Sequence, residues 1–216
     1  DAEGEEENQI WRSRYGAKER TFAGEEQRER NSATCHFNSA KEFLEFITDT
    51  PNAQRACLTG PPASGKTVTM LQTVHAAVHQ CRRKMQEGEP LVPVFMRASE
   101  LSKLLADGRA ANEVQELLCA TDNKGDSLRR MVVLFFEHCV QQNRFPELSG
   151  LVQGMAELFD LNLLLICIDG VDEAAAHREL VENSIDQAVR SQARAPLRLL
   201  LSTREHSYAH SRACFR

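Results

Sequence analysis

The octapeptide Gly60-Pro61-Pro62-Ala63-Ser64-Gly65-Lys66-Thr67 fits the pattern G-x-x-x-x-G-K-[ST] and follows a short apolar run at 56–58. A strand that feeds such a loop, which in turn feeds a helix, lets successive backbone N–H groups face one set of phosphate oxygens. Glycine at 60 and 65 permits backbone conformations that a side chain would forbid. The helix that follows has an N-terminus that favours negative charge. On this reading Gly60, Pro61, Pro62, Ala63, Ser64, Gly65, Lys66, Thr67 and Val68 cradle the phosphates of a nucleoside triphosphate. Lys66 reaches the β- and γ-phosphates, and the Thr67 hydroxyl ligates the Mg²⁺ that screens them.

Working outward, Ser39 is placed to cap a helix over 40–47 whose apolar face is Phe43, Leu44, Phe46 and Ile47, with Pro51 beyond it. A strand over 56–59 leads into the loop. After it, Met70, Leu71, Val74, Ala77, Val78 and Cys81 keep helical spacing up to Arg82, Arg83 and Lys84. Gly88 and Pro90 break the chain before a second strand over 91–96, where Pro93 argues for a less central place in a sheet. Residues 99–159 read as helices over 99–105, 112–118, 127–142 and 147–159, with turns at Asp107-Gly108, 123–126 and Pro146. A continuous apolar run over 163–168 is what a strand buried on both faces requires. A helix over 174–192, Pro196 and a buried strand over 197–201 complete the pattern. Strands alternating with helices of this length predict an α/β fold of three layers with a parallel sheet.

Two further strand ends carry chemistry. The segment Ile166-Cys167-Ile168-Asp169-Gly170-Val171-Asp172-Glu173 puts acids at the C-terminal end of a buried strand, where ligands collect in open α/β sheets. Asp169 is expected to hold Mg²⁺ through water, opposite Thr67. Asp172 and Glu173 are placed to orient or deprotonate an attacking water. Acids also favour helix N-termini in any protein, so their position downstream of the phosphate loop is what gives them weight. In Leu199-Leu200-Leu201-Ser202-Thr203-Arg204 a second buried strand ends in small polar groups and a cation. Arg204 is placed to sense the γ-phosphate, because a guanidinium matches phosphate oxygens in a fork that lysine cannot copy. The expected catalytic set is therefore Lys66, Asp172, Glu173 and Arg204.

The order GPPASGKT, ICIDGVDEA, LLLSTRE resembles the NACHT class of STAND signal-transduction ATPases over about residues 35–207. The D-G-x-D-E form at Asp169 to Glu173 discriminates most, since most AAA+ relatives place the glutamate directly after the first aspartate. Pro93-Val94-Phe95-Met96-Arg97 is similar to that family's second strand. The resemblance implies a P-loop fold of the additional-strand type, in which the strand ending at Arg204 lies between those leading to Lys66 and Asp169. It also implies slow ATP hydrolysis, ATP/ADP-controlled switching and homo-oligomerisation in the cytoplasm, with partner domains in the same longer chain: a lid, a winged helix and a sensor. The sequence ends at Arg216 before a lid or winged helix, and Glu205 stands where many members have proline. Domain organisation is thus expected as a polar, flexible segment over 1–33 and a partial nucleotide-binding domain over 34–216.

Composition narrows the alternatives. With 42% hydrophobic residues, 216 residues can bury a core of ordinary size, and a net charge of −5 argues against a general nucleic-acid binder. Charge is uneven: 190–216 holds six arginines against Glu205, whereas 1–30 holds nine acids against six bases. Seven cysteines without a CxxC pair point to a reducing compartment. No apolar run approaches the ~20 residues that span a bilayer, no signal-peptide pattern precedes Asp1, and a start without Met is expected of a fragment. Asn123-Lys124-Gly125-Asp126 matches the guanine-reading NKxD, but it precedes the acidic strand and reads as a polar turn. His75 and His79, and His206 and His210, have i,i+4 spacing without the glutamate or third ligand of a zinc site. The rival functions are a non-hydrolysing nucleotide-bound scaffold with a partner surface in 99–159, and an AAA+ or initiator-type ATPase using the basic end on nucleic acid.

Overall fold

The computed structural model describes residues 37, 39–49, 55–85, 90–120, 126–142, 149–191 and 197–210. Residues 1–33, Pro51, Gly88, 123–125, Pro146 and Pro196 lie outside them. Four parallel strands form one sheet: β1 (Arg55–Thr59), β2 (Val92–Arg97), β3 (Leu164–Asp169) and β4 (Arg198–Thr203), in the order β1-β4-β3-β2. β4 lies between β1 and β3, as the additional-strand arrangement requires. Register pairs Thr59 with Thr203, Ile168 with Leu201 and Arg97 with Asp169, so the C-terminal ends of all four strands meet along one edge. β2 is at the sheet margin, where Pro93 removes no ladder bond that a central strand would need.

Side-chain alternation along the strands makes three layers. Val94, Met96, Leu164, Ile166, Ile168, Leu199 and Leu201 belong to one core, while Leu165, Cys167 and Leu200 belong to the other. Every residue of β3 is buried, so both faces are covered and the strand reads as an unbroken apolar run. On the second face lie α1 (Ala40–Asp49) and α2 (Lys66–Lys84); on the first lie α3 (Ala98–Leu105), α4 (Gly108–Cys119), α5 (Asp126–Gln141), α6 (Ser149–Asp160) and α7 (Arg178–Ser191). Full burial of side chains such as Leu44, Ile47 and Met70 contributes about 1.5–3 kcal/mol each. A short α8 (Glu205–His210), which the sequence pattern does not announce, follows β4; Glu205 sits in its first turn, where an acid is favourable.

Two helix starts differ from expectation for local reasons, and one agrees. Ser39 does cap α1, its Oγ accepting the Glu42 N–H at 3.2 Å. The Asp107-Gly108 pair, however, starts α4 a turn early, because the Asp107 carboxylate accepts the Arg109 N–H. The helix expected from residue 174 is replaced by 3-10 turns at Val171–Glu173 and Ala175–His177, and α7 begins only at Arg178. Gly170 (φ 69°) and Ala175 (φ 50°) are left-handed, and a left-handed residue cannot continue an α-helix. On α2 the buried stripe is Thr69, Met70, Thr73 and Ala77, and Leu71 is exposed. The two threonines are buried at little loss because each hydroxyl bonds the carbonyl four residues back.

The helical layer is pinned by polar contacts between elements. Gln187 of α7 donates to the Leu117 and Leu118 carbonyls at the end of α4 and accepts the Ser127 hydroxyl. Arg129 of α5 makes a bidentate pair with Asp160 of α6. No helix among the described residues is long and apolar enough to cross a membrane.

Candidate functional site

Between β1 and α2 the loop meets two different steric demands. Gly65 adopts φ 90°, ψ 8°, which only glycine takes without strain, and it is the N-cap of α2. Gly60 does not require a left-handed backbone, contrary to expectation; a Cβ there would lie 2.9 Å from Ser64 Oγ, so its demand is space. The second left-handed residue of the loop is Ala63, at φ 58°. Lys66 Nζ donates to Gly60 O at 2.8 Å, Pro61 O at 2.9 Å and Ser64 Oγ at 3.3 Å, which uses the three hydrogens of an ammonium. α2 begins with no side-chain cap and no acid in its first turn, so the positive end of its dipole is not neutralised from within the helix.

At the adjoining strand ends the carboxylates are sorted by their partners. Asp169, the last residue of β3, is buried; Oδ2 accepts the Thr67 hydroxyl at 2.8 Å and Oδ1 accepts the Ser202 hydroxyl at 2.5 Å. Ser202 Oγ in turn accepts the Gly170 N–H at 2.8 Å. Asp172 Oδ1 accepts the Thr203 hydroxyl and the Arg204 N–H, both at 3.2 Å, and Oδ2 pairs with Arg204 Nε at 2.9 Å. Glu173 is exposed, with Oε1 3.9 Å from Arg204 Nη2. Its carboxylate closes over Gly170, where a Cβ would come within 3.1 Å of it.

These groups line one cleft of about 690 Å³, walled by residues 62–68, Asp169, Gly170, Asp172, Glu173, Ser202 and Arg204. The fold thus assembles the predicted residues from three strand ends. Gly60 and Pro61 are not part of the walls; their carbonyls accept from Lys66. Ser202 and Thr203 were not among the expected site residues, yet they orient Asp169 and Asp172. Their signal was present as small hydroxyls at a buried strand end, but hydroxyls there have no fixed role until a neighbouring strand is known. Beside the cleft, Val68, Leu71, Gln72 and His75 of α2, with Ser39 and the first residues of α1, Ala40 and Lys41, enclose a groove of about 330 Å³. His75 and His79 face each other, with Nε2 atoms 3.2 Å apart. Among the described residues no three His, Cys, Asp or Glu side chains gather as a metal-binding group.

Chemically, the cleft offers an open helix N-terminus and two cations for an anion, paired oxygens for a hard cation, and one exposed carboxylate. It sits at the C-terminal edge of a parallel sheet of the three-layer P-loop-like α/β class. The sequence family described as Nephrocystin 3, N-terminal, matches residues 33–204. The chain belongs to that family. No curated protein and no solved structure matches it.

Proposed function

We propose that the cleft binds ATP and ADP with Mg²⁺ and hydrolyses ATP slowly, as the nucleotide-switch core of a NACHT-like cytoplasmic signalling protein. The observation that carries this reading is the uncapped, acid-free start of α2 beside Lys66, facing the Thr67–Asp169 pair across the same cleft. A helix end of that kind is stabilised by a polyanion, and an oxygen-only pair suits a hard divalent ion. The donor set fits Mg²⁺: Thr67 would hold it directly and Asp169 through water, with Asp169 kept oriented by Ser202. When bound, the ion would neutralise phosphate charge.

The chain's own groups then have separate roles. Lys66 exchanges the Gly60 and Pro61 carbonyls for phosphate oxygens. Glu173 accepts a proton from the water whose oxygen attacks the γ-phosphorus; the bond from that phosphorus to the bridging oxygen breaks, and ADP leaves with its electron pair. The groove beside Val68 and Leu71 offers an apolar shelf next to the phosphates for a nucleoside base.

A thermal-shift panel of ATP, ADP, GTP and GDP with Mg²⁺ tests the reading, beside Lys66→Ala. A ligand at ~100 times its dissociation constant adds about 2.7 kcal/mol. Adenine nucleotides are expected to stabilise the wild type and not K66A. Guanine preference, or an equal response of K66A, overturns the proposal. Turnover is tested separately with Glu173→Gln; equal phosphate release by wild type and E173Q overturns hydrolysis at this site.

A further inference from the structure

Asp172 and Glu173 adjoin in sequence, yet the fold uses them differently. The Asp172 side chain is 8% exposed, against 55% for Glu173. Both Asp172 oxygens are turned to the junction of β4 and α8: one accepts the Thr203 hydroxyl and the Arg204 N–H, the other pairs with Arg204 Nε. A carboxylate that activates water needs an oxygen within hydrogen-bond reach of that water. Asp172 spends its oxygens on one arginine and its neighbour. Two residue pairs fasten the same two segments, since Arg178 Nη2 also donates to Ser207 O of α8 at 3.2 Å. Arg204 Nη2 stands 3.9 Å from Glu173 Oε1, beyond hydrogen-bond distance.

We infer that Asp172 is a positioning residue: it holds Arg204 in the orientation in which the guanidinium distinguishes a triphosphate from a diphosphate, and it takes no proton from water. This rests on the nucleotide reading above and names the regulation of that site. With Nε held 2.9 Å from Asp172 Oδ2, the Nη groups are the part of the guanidinium that meets phosphate oxygens. Thr203 supports the same geometry through Asp172 Oδ1.

The test is equilibrium titration of the full 216-residue chain with Mg²⁺ and either ADP or a non-hydrolysable ATP analogue. Loss of one charge-assisted hydrogen bond makes the expected fall in the triphosphate-to-diphosphate affinity ratio about tenfold for R204Q. D172N should lower the ratio to within about twofold of R204Q, and the double variant should fall no further, as residues acting through one contact are not additive. Thr203→Val, which removes an anchor without touching charge, should lower the ratio in the same direction and serves if D172N does not fold. A wild-type ratio in D172N or T203V, or a double variant that multiplies the single losses, overturns the assignment alone. A wild type that binds neither nucleotide overturns the nucleotide reading and this inference with it.

Discussion

The Ser202 hydroxyl donates to Asp169 at 2.5 Å and accepts the Gly170 N–H at 2.8 Å, so one buried side chain of β4 fixes both the acid and the turn that end β3. Ser202→Ala would leave a buried carboxylate oxygen short of a donor and a backbone N–H without its acceptor. Such losses cost about 1–3 kcal/mol. A lower urea midpoint at unchanged slope is expected, together with weaker Mg²⁺-dependent stabilisation by nucleotide. An unchanged midpoint would show that the two groups find other partners.

The two loop glycines should respond unequally to alanine. At Gly65 the backbone itself, at φ 90°, opposes a Cβ, and left-handed conformations cost an L-residue about 1–2 kcal/mol. At Gly60 a Cβ meets Ser64 Oγ, a small group that can rotate away. G65A is therefore expected to lose more thermal stability than G60A. Adding Ser64→Ala should recover part of the G60A loss and none of the G65A loss; recovery of both would place the strain elsewhere.

Away from the cleft, Glu113 of α4 accepts Arg130 Nε at 2.9 Å and Nη2 at 2.7 Å, and Arg109 Nε at 3.1 Å. The Arg130 hydrogen bonds hold its carboxyl below the ordinary glutamate value. The unfolded chain then binds the proton more readily, so this contribution is complete above the ordinary glutamate range and is lost as pH falls through the depressed folded-state value. Glu113→Gln should be less stable than wild type at neutral pH, and the difference should shrink in acid. Urea melts across that range measure it; a constant difference would remove the linkage.

Cys167 is wholly buried in the central strand, and burial pushes its thiol pKa far up. The thiolate is the reactive form. Iodoacetamide at mildly alkaline pH is expected to label exposed Cys119 in the native protein and to spare Cys167 until urea is added. Peptide mass spectrometry after timed quenching reads both sites; equal labelling without urea would mean that β3 opens readily.

Much of this was legible in the sequence because periodicity and burial coincide. The run over 163–168 announced β3, and its alternate residues do face two different cores. The strand-end motifs likewise converge, since a parallel sheet carries every C-terminal strand end to one edge. Less legible was the segment after Gly170. Apolar spacing there fits a helix, but Ala175 takes a left-handed backbone that its residue type does not advertise. Nor could the sequence divide Asp172 from Glu173: adjacent acids look alike until Thr203 and Arg204, from a distant strand, claim one of them. On α2, Thr69 and Thr73 are inside and Leu71 outside, because local hydroxyl bonding and proximity to the sheet outweigh side-chain polarity.

The place of β4 bears on how the molecule comes into being. The loop-bearing β1 and the acid-bearing β3 never touch as a strand pair; β4 joins them, and it is translated after both. A nascent chain halted before Arg198 lacks the strand that pairs with both β1 and β3, leaving the Thr67–Asp169 bond and the packing of α2 on β3 to hold the two segments together. Completion of the cleft therefore waits for β4 to follow β3 in synthesis, and a transcript that skips β4 would yield a product lacking the bridge, however intact its phosphate loop.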